Sequence, residues 1–365
     1  MHHEVRFLAF IAGLVLVILI IRDVFNALMV PGRVKRRLRF VPVYFHATWA
    51  LWAAVGRRIK NEERRERLLS VYAPFAMLCL LALWSAGLLF AFGLLQFGVT
   101  QGSRPSDFLE YLYTSGVRIF TLGAEESEDS ALLSKALVII EAGTGLGFIT
   151  MVITYLPVLY QLFSRRETHV ILLDERAGAP VSTLSLICNH ARRNAMDRLD
   201  ALLAAWEQWS AELLESHVSY PMLSYYRSQH SDQSWLSAMA IIMDTCALRM
   251  AGAGGFDEFQ SERTLAMCTS ALRNISKILR IRPSARYTDR LSRTAFRELT
   301  EQLRQSELPA GEFDVWERLS RIRNGYEPLL AAMADYFVIE LPAWVPPRVW
   351  KERAMPRVQM PMSGT

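Results

Sequence analysis

The chain has 365 residues, 52% of them hydrophobic, with a mean hydropathy of +0.15 and a formal net charge of +5. That apolar content is high for a soluble chain, and it is concentrated in the first half. The basic residues cluster beside apolar runs, so membrane topology accounts for the positive charge and nucleic-acid binding is not needed to explain it. Cys79, Cys188, Cys246 and Cys268 are widely spaced with no CxxC pair, which argues against zinc and disulfide frameworks and for buried thiols in a reducing compartment.

Phe7 to Ile21 is uncharged, and the apolar pattern continues past Arg22 and Asp23 to Val30, long enough for one crossing of about 30 Å of hydrocarbon. Asp23 either meets an arginine of another helix or sits with Arg22 at the interface. A cleaved signal peptide is the competing reading; the basic n-region is weak and no small-x-small site follows. Pro31-Gly32 stops the helix, giving a first segment over 1–31. The next, 32–69, is a basic linker around an aromatic, apolar stretch, Pro42 to Gly56, too short to cross and predicted to lie in the interface with Trp49 and Trp52 at headgroup depth. Eleven Lys or Arg fall between Arg33 and Arg67, against two arginines between Gln101 and Ser130. That bias predicts the N-terminus outside, the basic segment and the C-terminal half inside, and a bacterial inner membrane location.

Two uncharged or nearly uncharged runs follow, Val71 to Val99 and Leu137 to Phe163, the second carrying only Glu141. Each exceeds the roughly 20 residues a spanning helix needs. Between them, Phe108 to Ile119 has the composition of about three helical turns and leads directly into Thr121-Leu122-Gly123. Span, short helix, turn, span is the order of a re-entrant loop. Non-helical backbone at membrane depth is tolerated only beside protein or water.

Tyr113-Thr114-Ser115-Gly116 leading into Phe120-Thr121-Leu122-Gly123, with Gly143, Gly145 and Gly147 in the following span, resembles the two-transmembrane pore domain of bacterial potassium-channel-like proteins, here with an extra N-terminal helix. The resemblance covers roughly 70–165. It implies a homotetramer in which each chain supplies one quarter of a filter, Thr121, Leu122, Gly123, Ala124, Glu125 and Glu126. The family continues Gly-Tyr-Gly-Asp where this chain reads Gly123-Ala124-Glu125-Glu126. A Cβ at Glu125 does not suit a backbone that glycine alone adopts without strain, and Ala124 lacks the ring that would fix the loop's diameter. In place of the upper filter stands a carboxylate band, Glu125, Glu126, Glu128 and Asp129. Such a ring concentrates monovalent cations at a mouth, predicts weak potassium preference, and allows divalent ions to pass or to block. The alternative is a non-conducting membrane receptor or scaffold that keeps the pore fold.

Arg118 and Glu141 are ionisable groups at membrane depth and are predicted to pair, bracing the loop; Arg118 reaching Glu125 or Glu126 is the other option. Gly143, Gly145, Gly147 and Pro157 weaken the last span and predict either a gating hinge, with a gate near Tyr155 to Tyr160, or a static kink. These elements make a pore domain over 70–164.

Helical spacing recurs in Thr183 to Ser216, Ser234 to Met250, Ser261 to Ile281, Ala285 to Arg304 and Val315 to Ile339, separated by Gly, Pro, Ser and Asp breakers. This predicts an all-α cytoplasmic domain over 165–345 and a disordered tail over 346–365. Tyr225, Tyr226 and Arg227 are candidates for a subunit boundary. No nucleotide-binding glycine motif, nucleophile constellation or ligand spacing is present; His217, His230 and Asp232 match no metal pattern. The expectation is an all-α membrane protein, not an enzyme, with no cofactor, metal or nucleic-acid partner, and with the lipid bilayer and copies of itself as its surroundings.

Overall fold

The computed structural model describes residues 2–28, 40–99, 108–120, 132–178, 181–228, 234–252, 258–284, 287–308 and 314–345. Among these residues every regular element is helical, and three helices are long and apolar enough to cross a membrane, making this an all-α membrane protein. The chain divides into two compact units, 1–165 with 215–231, and 166–214 with 232–365.

The first unit is organised around α3 (Glu62–Val99). α1 (His2–Leu28) runs antiparallel to it, and small residues set the spacing: a Cβ on Gly98 would come within 2.7 Å of Phe10, and one on Gly13 within 2.7 Å of the Ala91 carbonyl. Further along, Asp23 accepts a hydrogen bond from the Trp84 indole of α3 at 3.0 Å. α1 leaves Phe7, Leu8, Ile18 and Leu19 exposed, an apolar outer face.

α2 (Phe40–Arg58) also packs lengthwise and antiparallel on α3. Tyr44 donates to the Ala76 carbonyl at 2.9 Å, Thr48 meets the Tyr72 hydroxyl at 2.9 Å, and Trp52 donates to the Leu68 carbonyl at 3.0 Å. Those contacts fall one helical turn apart on each arm of the hairpin, so the helix read from the sequence as interfacial packs along α3. Its first turn carries Pro42, where a missing N–H costs nothing.

α4 (Phe108–Ile119) has the bounds that the composition predicts and lies on α3: Phe108 stacks edge-on against Phe90 and Phe97, and Ser115 donates to the Leu89 carbonyl at 3.0 Å. α5 (Leu132–Ala177) is one continuous helix through Pro157 and the segment His169 to Leu173. Residues 215–231, expected in the cytoplasmic domain, belong with these helices. There the 3₁₀ turn Pro221–Tyr225 places Tyr225 against Phe45, Trp49 and Tyr72.

The second unit is built from α6 (Thr183–Ala191), most of α7 (Met196–Ser219), α8 (Trp235–Met250), α9 (Phe259–Ile278), α10 (Arg293–Gln305), α11 (Asp314–Asn324) and α12 (Glu327–Phe337). α8 is its centre, with fifteen of its sixteen residues buried, and Ser234 caps it by accepting from the Ser237 N–H. Three predicted helices are corrected. Thr183 to Ser216 breaks at 192–195, where Asn194 takes φ 50°. The helix expected from Ala285 begins at Arg293, capped by Ser292. Val315 to Ile339 is two helices, separated at Gly325-Tyr326, the second ending at a left-handed Val338. His217 is buried, whereas His230, Asp232 and the tail over 346–365 lie outside the described residues.

Candidate functional site

The predicted filter, Thr121, Leu122, Gly123, Ala124, Glu125 and Glu126, lies outside the described residues, as do Glu128 and Asp129. Ile119, at the end of α4, and Leu132, at the start of α5, bracket it. Ile119, the last residue of α4, is buried against α5: a Cβ on Gly145 would lie 2.2 Å from the Ile119 carbonyl oxygen and 2.8 Å from its Cα. Only a residue with no side chain admits that approach of two backbones. α5 starts at Leu132, thirteen residues before Gly145, which is about 20 Å along a helix axis. The chain therefore leaves α4 at one depth and enters α5 at another.

A polar layer runs behind this bracket. Glu141 is fully buried, its carboxylate accepting a short hydrogen bond from the Ser115 hydroxyl. Arg118 Nη1 stands 3.8 Å from the other oxygen, close enough for an ion pair and too far for a hydrogen bond. The predicted pair is thus brought together, with Ser115 as the closer partner. Gln96 of α3 lies beside Glu141 and accepts from Ser134 of α5 at 3.0 Å. Three polar residues from two other helices, Ser115, Arg118 and Gln96, stand around one buried carboxylate, which otherwise would be costly in an apolar surround. Gln96, Ser134 and the role of Ser115 were not legible, since each is an ordinary polar residue until the helices pack.

The three glycines of α5 do not share one role. Gly145 is clamped on Ile119, while Cβ atoms on Gly143 and Gly147 would meet nothing within 4 Å. Leu137, Glu141 and Gly145 form the buried face. Gly143, Gly147, Thr150 and Thr154 are exposed at spacings of four, three and four, two residues or about 200° round the helix from that face. Thr150 and Thr154 return their hydroxyls to the Leu146 and Thr150 carbonyls at 2.8 and 3.1 Å, which shields the donors and leaves oxygen lone pairs outward.

Pro157 is exposed, and the helix beside it is held from one side. Tyr155 is buried, donates to Met222 Sδ at 3.2 Å and packs on Tyr220; Phe163 packs on Tyr226. Arg227 closes the turn with a short ion pair to Glu66 of α3. Tyr225, Tyr226 and Arg227, candidates for a subunit boundary, thus pack inside their own chain. Of the predicted gate, Tyr155 and Leu159 are buried and Tyr160 is exposed.

No family model matches this chain, and no solved structure matches it. It is 27% identical over 147 residues to the uncharacterized membrane protein YdjJ of Bacillus subtilis (strain 168), an alignment covering 39% of this chain and 41% of the relative. The chain thus aligns with about two fifths of that relative's length. The likeness places this protein with membrane proteins, in agreement with its three apolar helices.

Proposed function

We propose that the chain is one subunit of a tetrameric, potassium-channel-like cation channel in a bacterial inner membrane, with the N-terminus outside and the C-terminal half in the cytoplasm. The observation that carries this reading is the seat of Ile119 against Gly145, about 20 Å below the start of α5. A chain joining those ends has to climb back across much of one leaflet, and backbone at that depth needs a watery or protein-lined surround. The small polar stripe Gly143, Gly147, Thr150 and Thr154 supports it, because it lies opposite the packed face of α5. Around a four-fold axis that stripe lines the path below the loop, and Thr121, Leu122 and Gly123 with the Glu125–Glu126 band complete it above.

Glu141, with Ser115, Arg118 and Gln96, holds the back of the loop in place; these residues position the filter and do not touch the ion. Without Tyr and Gly at the positions of Ala124 and Glu125, the channel discriminates weakly between potassium and sodium. Cation flux into proteoliposomes tests this. Wild-type protein carries potassium and sodium at rates within about tenfold, and Glu125→Gln lowers both several-fold by removing mouth charge. No flux from correctly assembled protein would favour the receptor or scaffold reading, for which the Ala124-Glu125 departure is the specific argument.

A further inference from the structure

Ser115 of α4 stands between two oxygens of different helices. Its hydroxyl oxygen is 3.0 Å from the Leu89 carbonyl of α3 and in hydrogen-bond contact with Oε1 of Glu141 on α5. A backbone carbonyl only accepts, and so does an ionised carboxylate. Donated from Ser115, the two bonds would need two protons, and a serine hydroxyl has one. Sharing it would leave a fully buried anion with less than one full hydrogen bond on that oxygen, and an underpaired buried charge is costly. The count closes if Glu141 brings the second proton. The acid then donates from Oε1 to Ser115, and Ser115 donates onward to Leu89.

The other side of the carboxyl fits the same state. Among the described residues, the charged group that faces Glu141 is Arg118; Ser115 and Gln96 are neutral, and Ser134 donates to Gln96. Arg118 Nη1 stops 3.8 Å from Oε2, and among the described residues both Oε2 and the buried Arg118 Nε are left without a hydrogen bond. A carboxylate and a guanidinium this near, each with a group to spare, would close into a charge-assisted fork. A neutral carboxyl exerts no such pull, and its carbonyl oxygen bears the missing bond at far lower cost than an anion would.

We propose that Glu141 is held as the neutral acid and that its proton is a latch on the end of α4, tying α5 to α4 and, through Ser115, α4 to α3. The tie sits one turn from the seat of Ile119 on Gly145, since Ser115 is four residues before Ile119 and Glu141 four before Gly145. Loss of the proton leaves two acceptors competing for one hydroxyl proton, with a new charge in an apolar surround. α4 then gives up one of its two ties. Raising the pH therefore loosens the end of α4 from which the predicted filter segment departs. The latch depends on the packing of α3, α4 and α5 alone, so it stands on the bracing part of the proposed function and not on conduction.

Infrared difference spectra of the full-length protein in an ester-free detergent test the proton. At neutral pH, subtracting the Glu141→Gln spectrum from that of wild type should leave the carbonyl band of a protonated carboxylic acid. Ser115→Ala should move that band to higher frequency by removing its hydrogen-bond partner. Absence of the band would mean an ionised Glu141 and overturn the proposal. Glutamine keeps the shape of the acid and, through its amide N–H, the donor to Ser115, so Glu141→Gln should fold. An anion paired with Arg118 would not tolerate that change, and a variant that no longer folds would equally overturn the proposal. Hydrogen exchange reads the latch itself. As the pH rises through the loss of the band, exchange in α4 should become at least about 10-fold faster in wild type than in Glu141→Gln at the same pH. A ratio that stays flat through that loss, or a band that persists as far into alkaline pH as the protein stays folded, would remove the latch. The expected band and exchange in protein that carries no cations would retain the latch and discard the channel, whereas flux without the band would do the reverse.

Discussion

Single residues set the tolerances of this fold, and Gly145 is the tightest. A methyl group there would meet the Ile119 backbone at 2.2 Å, and neither backbone can rotate away as a side chain could. Gly145→Ala should destabilise the first unit by roughly 1–3 kcal/mol, typical of overpacking, and lower its melting temperature; Gly147→Ala, which meets nothing within 4 Å, should leave it unchanged or slightly raised. In the second unit, Arg290 gives paired hydrogen bonds to Asp244 and to Glu327 at 2.6–3.0 Å, and Tyr326 donates to Asp244 at 2.8 Å. Burial, with Glu327 nearby, pushes the Asp244 carboxyl up to about 6 in spite of Arg290. A carboxyl raised on folding binds its proton more tightly when folded, so its contribution is complete below its ordinary value near 4 and is lost as pH rises through 6. Hydrogen exchange of α8 in the full-length protein should therefore show wild type gaining protection relative to Asp244→Asn as pH falls from 6 to 4. The opposite slope would mean that Asp244 stays ionised throughout.

Elements were legible where local chemistry decides them. The bounds of α4 follow from its composition and the turn after it, and Ser234 marks the start of α8 by capping it. Breaks without a Gly or Pro to mark them were not: 192–195 holds neither, and residues 287–291, within the predicted helix, are out of helical form where Arg290 reaches the two buried carboxylates. The docking of 215–231 on the membrane unit was equally hidden, because aromatic residues near a proline read the same in any all-α domain. Its consequence belongs to this scale. Tyr225 stacks among Phe45, Trp49 and Tyr72, contacts worth about 0.5–1.5 kcal/mol each beyond burial, and Arg227 is tied to Glu66. Tyr225→Ala should free Tyr155 and the helix around Pro157, raising protease cleavage in 215–231 and changing open probability in bilayer recordings. Unchanged cleavage would show that the turn bears no load.

At the scale of the molecule, the apolar length, the order of spans and the basic bias were all readable from the sequence, whereas which face of α5 packs on its neighbours and which stays exposed was not. Periodicity marks Gly143, Gly145 and Gly147 alike; only the packing of Ile119 separates Gly145 from the stripe on the other side. In the proposed channel that stripe is the wall of a shared aqueous path, and modification of cysteines along α5 tests it most directly. In proteoliposomes carrying Thr154→Cys, a charged methanethiosulfonate reagent should react and cut cation flux at least 10-fold, while Ile153→Cys, one residue away and about 100° round the helix, should keep its flux. Full flux after complete modification of Thr154→Cys, or a Thr154→Cys that only lipid-soluble reagents reach, would contradict the account.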